Sequence, residues 1–271
     1  MGDIVLIKTR LAGTDLDISP VGLGTVKIGR DQGVKYPNGF TIPDDRQVTD
    51  LLALCRDLGI NLIDTAPAYG TSETRLGPLL RGQRDHWVIC SKAGEEFDNT
   101  TGESAYIFTP EHIRSSVERS LRRLETDYID ILLIHSDGND MQIINEFGAL
   151  DVLNDLKAEG KIRAGGMSGK TVEGGIETLK RSDCAMVTYN LNQPDEAPVL
   201  DYAHQHHKGI LIKKALASGH LCLNEGEDPV QASFNFIFRH PGVHSAIVGT
   251  INPDHLQKNV AAVKRAIETM V

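Results

Sequence analysis

Eight times along this chain a short, continuous apolar run gives way to a segment whose apolar positions recur with helical spacing. The predicted strands are 21–26, 61–65, 87–92, 128–135, 163–168, 185–189, 209–213 and 244–249. The predicted helices that follow them are 45–58, 73–81, 110–124, 146–159, 171–180, 197–207, 229–239 and 253–269. The runs are rich in Ile, Leu and Val and lack polar alternation, as expected of parallel strands buried on both faces. Eight such units fit a closed (β/α)8 TIM barrel better than an open doubly wound sheet. Cap chemistry is clearest at Thr109-Pro110-Glu111, where the Thr hydroxyl can accept from orphan N–H groups and Pro suits the first turn.

In such a barrel the C-terminal strand ends form the working mouth, so polar residues that close the apolar runs are the first candidates for chemistry. Asp64, Lys92 and His135 close three consecutive runs, and Tyr69 lies on the loop that opens the helix after Asp64. A phenol, with a free pKa of about 10, is a poor acid, but an adjacent ammonium lowers that value by stabilising the phenolate. Asp64 would hold Lys92 charged, while His135 would hydrogen-bond a carbonyl oxygen or relay a proton to Tyr69. Taken singly, each has a structural reading: an acceptor at a strand end, a capping aromatic, a core histidine, a partner for the carboxylate. Their joint placement at consecutive strand ends favours a catalytic set.

The length of 271 residues suits one barrel domain over 1–271, with a hairpin candidate at 4–18 in which amphipathic 4–11 meets 15–18. A net charge of −9 without a basic stripe argues against a nucleic-acid groove. Cys55, Cys90, Cys184 and Cys222 are widely spaced and form no CxxC, so reduced thiols in the cytoplasm are expected rather than zinc or disulfides. The N-terminus carries neither a signal-peptide core nor a myristoylation signal, and no run approaches the roughly 20 residues that span a bilayer. His204, His206 and His207 sit late on a predicted amphipathic helix and read as a solvated face, leaving no metal site. Lys161 and Arg163 fall at the opposite end of the barrel from the mouth and are expected to be solvent-facing or ion-paired.

Over nearly its whole length the sequence resembles an aldo-keto reductase. The matching segments are Gly22–Thr25, the run Gly-Ile-Asn-Leu-Ile-Asp-Thr-Ala-Pro-Ala-Tyr-Gly at 59–70, Ser91-Lys92, Ser120–His135, Glu159–Arg163, and Val248–Thr250 through Asn259. The resemblance implies a tetrad of Asp64, Tyr69, Lys92 and His135, with Tyr69 as general acid in reduction of a small carbonyl substrate. It also implies NADP(H), in preference to NAD(H), lying extended across the strand ends without a Rossmann fold. Carried over position by position, Thr25 and Asp64 lie near the nicotinamide ribose and Ser168 binds the carboxamide. Leu216, Ala217, Ser218 and Gly219 form the pyrophosphate loop, and Gly249, Thr250, His255 and Asn259 hold the adenosine end. A helix N-terminus opening after Gly249-Thr250 would offer unpaired N–H groups to phosphate.

Four positions depart from the family pattern. Gly169 stands where many relatives have Asn, Met186 where a carboxamide-binding Gln is common, Lys213 where an aromatic ring stacks on nicotinamide, and His255 where some relatives carry an Arg for the 2′-phosphate. Lys213 would face the nicotinamide ring or curl toward the pyrophosphate. The loops at 136–145 and 221–228 are short, which predicts an open site for small carbonyls. The expectation is therefore a nicotinamide-dependent carbonyl reductase, against an alternative in which the barrel senses the cofactor as a regulatory subunit and turns over little.

Overall fold

The computed structural model describes residues 5–34, 39–217 and 228–269. A short antiparallel hairpin of β1 (Thr9–Arg10) and β2 (Asp17–Ile18) comes first. β3 (Val21–Gly24) leads into α1 (Val26–Gly29) and α2 (Asp45–Asp57), and β4 (Leu62–Asp64) into α3 (Ser72–Leu79). β5 (Val88–Ala93) passes directly into a second hairpin, β6 (Glu95–Asp98) and β7 (Glu103–Tyr106), before α4 (Pro110–Leu124). β8 (Ile129–His135) is followed by α5 (Asp140–Asn145) and α6 (Ala149–Ala158), and β9 (Ile162–Ser168) by α7 (Val172–Arg181). β10 (Cys184–Thr188) precedes α8 (Ala197–Gln205), β11 (Gly209–Lys213) precedes α9 (Pro229–Phe238), and β12 (Ser245–Val248) precedes α10 (Pro253–Glu268).

Eight of these strands close into a parallel barrel in the order β3-β4-β5-β8-β9-β10-β11-β12, with β12 returning to β3. The fold is the (β/α)8 barrel that the alternation predicts, and every barrel strand overlaps its predicted run. Side chains alternate between two cores because a strand's period is two. Leu62, Val88, Cys90, Ile131, Leu133, Ala164, Met186 and Leu211 fill the lumen, while Leu23, Ile63, Ile89, Leu132, Ile134, Val187, Ile210 and Ala246 face the surrounding helices. The β1–β2 hairpin is shorter than its sequence pattern suggests, yet Leu11, Leu16 and Ile18 from it join the lumen cluster and plug the N-terminal end.

Two features depart from the sequence reading. The helix predicted over 146–159 begins only at Ala149, because Gly148 adopts a left-handed φ of 61° that separates α6 from α5. The β6–β7 hairpin has no apolar-run signature, since β7 is exposed along its length and pairs through its backbone rather than by burying an apolar face. The predicted cap on α4 is present, Thr109 Oγ1 accepting from His112 N at 3.3 Å.

At the N-terminal end of the barrel Asp130, 1% exposed, accepts from Arg84 Nη2 at 2.7 Å, Ile89 N at 2.9 Å and Arg163 Nη1 at 2.9 Å. Arg163 also pairs with Asp15 at 3.0 Å, and Lys161 pairs with Glu118 and Glu159, so both basic residues are ion-paired. Removing the buried Asp130 carboxylate strands two guanidinium groups and a backbone donor. Asp130→Ala should therefore cost about 3–5 kcal/mol of stability in denaturant titration.

Candidate active site

The alternation that fills the lumen also sets its uppermost layer. Two residues beyond the lumen-facing Leu62, Cys90, Leu133 and Leu211 stand Asp64, Lys92, His135 and Lys213, so all four project inward at the C-terminal mouth. Parallel register sets Asp64 beside Cys90 and His135 beside Ser168. Residues far apart in sequence thus reach one rim.

Lys92 Nζ donates to Asp64 Oδ1 at 2.5 Å and to Thr65 O at 2.9 Å, and both side chains are almost wholly buried. Burial, the largest single effect, depresses the lysine pKa, but Asp64, Tyr69 and Cys90 together outweigh it and hold Lys92 charged above its ordinary range. Asp64 Oδ2 accepts from the Tyr69 hydroxyl at 3.3 Å, and the Lys92 ammonium lies 4.6 Å from the centre of the Tyr69 ring. The phenol differs from the sequence expectation. Burial and then the Asp64 charge push its pKa up, and the opposing effect of Lys92 is too small to bring it below its usual value. Tyr69 therefore keeps its proton through the neutral range.

The loop that carries Tyr69 is held by backbone contacts. Tyr69 N donates to Ala66 O at 3.0 Å, Arg30 Nη1 to Ala68 O at 2.9 Å, and Thr71 N to Gly29 O at 3.1 Å. Gly70, at φ 62°, packs on Gly29 so closely that a Cβ on it would lie 2.2 Å from Gly29 O. Thr25 is buried with its hydroxyl already engaged, donating to Asp64 O at 2.9 Å and accepting from Ser72 Oγ at 2.7 Å. Its side chain braces the end of β4 from within.

Across the mouth, His135 Nδ1 lies 2.9 Å from Glu95 Oε2 on the β6–β7 hairpin, in a close polar contact rather than a linear hydrogen bond. Its ring meets Tyr69 edge-on, with centroids 6.3 Å apart. Burial lowers the His135 pKa and Glu95 only partly restores it, whereas Glu95 overcomes its own burial through His135 and Ser104 and falls to about 2. A carboxylate thus faces a neutral imidazole at pH 7. Sequence reasoning missed Glu95 because it sits on a polar hairpin; its place directly after the Ser91–Gly94 strand end was the available signal.

Lys213 Nζ donates to Ser168 Oγ at 2.9 Å and to Gly169 O at 2.6 Å. Burial lowers its pKa to about 8, against the attraction of Glu196. Glu196 Oε1 accepts from Thr188 N at 3.1 Å at the end of β10, while Oε2 is buried with no hydrogen-bond partner. Met186 lies in the lumen core, one layer below the mouth. An ammonium, a serine hydroxyl and an unpartnered carboxylate oxygen form a donor and acceptor set suited to an amide-bearing group such as nicotinamide.

The residues read as the distal cofactor site are only partly gathered. Gly249 approaches Gly24 across the β12–β3 seam, its Cα lying 3.5 Å from where a Cβ of Gly24 would be. Thr250 Oγ1 accepts from Asn252 N at 3.1 Å; His255 is exposed and Asn259 buried. The start of α10 differs from expectation, because Asn252 Oδ1 accepts from Asp254 N at 2.9 Å and His255 N at 3.1 Å, and Pro253 has no N–H. The first-turn donors that the sequence offered to phosphate are already capped. Leu216 packs on the core and Ala217, at φ 46°, donates to Lys214 O at 2.8 Å; Ser218 and Gly219 lie outside the described residues.

The profile of the aldo/keto reductase family matches residues 20–225. A crystal structure from Pseudomonas aeruginosa, described as a candidate aldo-keto reductase, is 58% identical with a TM-score of 0.87, covering 96% of each chain. L-galactose dehydrogenase of Arabidopsis thaliana is 27% identical over 93% of this chain and 86% of its own length. The NADH-specific methylglyoxal reductase of Escherichia coli is 39% identical over 58% of this chain and 50% of its own.

Because Asp64 and Lys92 are buried against each other, removing one leaves the other uncompensated. Lys92→Met should lose about 3–5 kcal/mol of stability, and Asp64→Asn combined with Lys92→Met should recover most of it. Denaturant titration of both variants checks this.

Proposed function

The chain belongs to the aldo/keto reductase family, and on that premise we propose that it reduces small aldehydes or ketones with NADP(H), reversibly, as a single barrel domain in the cytoplasm. The observation that carries this reading is the buried Asp64–Lys92 pair set against a protonated Tyr69 hydroxyl, with His135 on the same rim. The reduced nicotinamide, when bound, supplies the hydride. Tyr69 supplies the proton to the carbonyl oxygen, since its phenol enters with the proton in place. Lys92 stabilises the phenolate left behind, and Asp64 keeps Lys92 charged and fixed. His135 orients the substrate oxygen. Closure of the rim by Tyr69, His135 and the β6–β7 hairpin keeps the proton donor largely out of water.

Lys213 and Ser168, at the ends of β11 and β9, and Glu196, the N-cap residue of α8 that meets the end of β10, fit the amide end of the cofactor. Lys213 turns toward Ser168, so its charge belongs to the nicotinamide end. At the adenosine end the exposed His255 and Lys258 on α10 favour a 2′-phosphate, which supports NADP(H) over NAD(H). The Escherichia coli relative is NADH-specific, and titration with both cofactors decides between them.

Tyr69→Phe should retain cofactor affinity and lose reductase activity by about 10²-fold or more, the scale of general acid catalysis. A panel of aldehydes assayed with NADPH and NADH checks it, and near-wild-type turnover would remove Tyr69 from the mechanism. Lys213 is charged below about pH 8 and neutral above it, so affinity for the anionic cofactor should fall as pH rises through that value. Nicotinamide fluorescence titration between pH 7 and 9 should show this fall in the wild type and a flat profile in Lys213→Met.

A further inference from the structure

Among the described residues, Glu95 forms no hydrogen bond or ion pair with Lys92 or Tyr69, and its carboxylate faces His135. Oε2 lies 2.9 Å from His135 Nδ1, and Oε1 accepts from Ser104 Oγ at 2.7 Å. The hairpin register places these residues together, since Glu95 on β6 pairs with Tyr106 on β7 and Ser104 stands two residues before it. Nδ1 is buried and makes no hydrogen bond, and this carboxylate is the close polar group facing it. A bare Nδ1 would set its lone pair against an anionic oxygen, so the nitrogen facing Glu95 is the one that carries the proton. In a neutral ring the lone pair is then on Nε2, the nitrogen on the open side of the ring.

From this geometry we propose that Glu95 is a positioning residue that fixes His135 in the Nδ1–H tautomer, making Nε2 a hydrogen-bond acceptor for the hydroxyl of the alcohol form of the substrate. The inference rests on the proposed oxidoreductase reading for its consequence and on the Glu95–His135 contact for its structure. It changes the role expected of His135. A neutral His135 cannot donate Nε2–H to a carbonyl oxygen, and it donates there only as the imidazolium. In alcohol oxidation the substrate O–H, held first by Nε2, turns to the Tyr69 phenolate oxygen that Lys92 stabilises and gives it the proton as the hydride leaves for the oxidised nicotinamide. The site thus grips the alcohol with a neutral histidine and the carbonyl with a charged one.

The charged and titratable groups around the pair pull in two directions, with Glu95 alone favouring the imidazolium. Lys92 on β5 and Lys213 on β11 disfavour a charged His135, whereas Glu95 favours it. Tyr69 meets the ring from the β4–α3 loop. Arg30, beyond α1, and Ser104, on β7, help hold Glu95 ionised, while Tyr106 on the same strand also faces its carboxylate. Glu95 is therefore the single anion that contacts the imidazole among the described residues.

Imidazole ¹⁵N spectroscopy of the full-length protein, with the His135 signals identified by their loss in His135→Gln, reads the tautomer without turnover. The expected result is a protonated Nδ1 and a bare Nε2 in the wild type at pH 8. In Glu95→Gln, which keeps the size and fold of the side chain, the His135 titration should move down by about 1 pH unit or more, the scale of one adjacent opposite charge. The acid limb of the alcohol-oxidation pH profile should move down with it, because that limb follows protonation of Nε2. A wild-type ring protonated on Nε2, or an unchanged His135 titration in Glu95→Gln, overturns the proposal. Inactivity with every alcohol and carbonyl would instead count against the proposed reaction, and the ¹⁵N result would still decide the role of Glu95.

Discussion

A lysine ammonium held at the top of a hydrophobic barrel is tolerable only because a carboxylate one strand away meets it. Lys92 and Asp64 lie 2.5 Å apart in a site almost closed to water, above a lumen of Leu62, Cys90 and Leu133. Either charge alone would carry a desolvation penalty of several kcal/mol, so each fixes the other in charge and in position. The rest of the mouth is arranged around that pair. Tyr69 hydrogen-bonds the second carboxylate oxygen, Thr25 braces the backbone of Asp64, and Thr65 takes the remaining reach of the ammonium. The phenol stays protonated first because it is buried, and then because the Asp64 charge beside it outweighs what Lys92 does to favour phenolate.

The two ends of the barrel divide the labour. At the N-terminal end, Asp130 ties Arg84, Arg163 and the backbone of Ile89 into a saturated network, and the β1–β2 hairpin seals the lumen with Leu11, Leu16 and Ile18. Its charges have their partners and little left for a ligand. At the C-terminal end several polar groups remain poised: the Glu196 Oε2 atom is unpartnered, Nδ1 of His135 has only Glu95, and Lys213 is held charged only marginally by its surroundings. Unsatisfied or strained polarity at one end, and satisfied polarity at the other, is how this fold separates stability from chemistry.

The β6–β7 hairpin changes what the mouth can do. It grows from the end of β5 immediately after the strand residue Lys92, so the segment that supplies the buried cation also supplies, three residues on, the carboxylate that faces His135. An open rim, as the short neighbouring loops suggested, would leave His135 to solvent and free to choose its tautomer. With the hairpin in place the ring has one charged neighbour on its buried side. Phe97 on the same hairpin stacks under Arg30 at 3.5 Å, which links this wall to α1 and so to the loop bearing Tyr69.

The barrel and the placement of Asp64, Lys92 and His135 were legible in the sequence because both depend on a local period. Continuous apolar runs specify strands buried on two faces, and a residue two positions beyond a lumen-facing one must enter the lumen again. The N-cap at Thr109 was legible for the same reason, being written within four consecutive residues. What escaped the sequence depends on groups brought together from separate segments. The direction of the Tyr69 pKa was misjudged because the sequence shows that a cation is near but not that the phenol is buried beside the carboxylate. The phosphate donors at α10 were overcounted because the side chain of Asn252 folds back onto them. Lys213 turned toward Ser168, and Glu95 toward His135, through distances set by barrel closure and hairpin register rather than by either residue's neighbours in the chain. Local periodicity determined which residues reach the mouth; only the tertiary structure decided which of them touch, and with that their charge, their tautomer and their availability to a ligand.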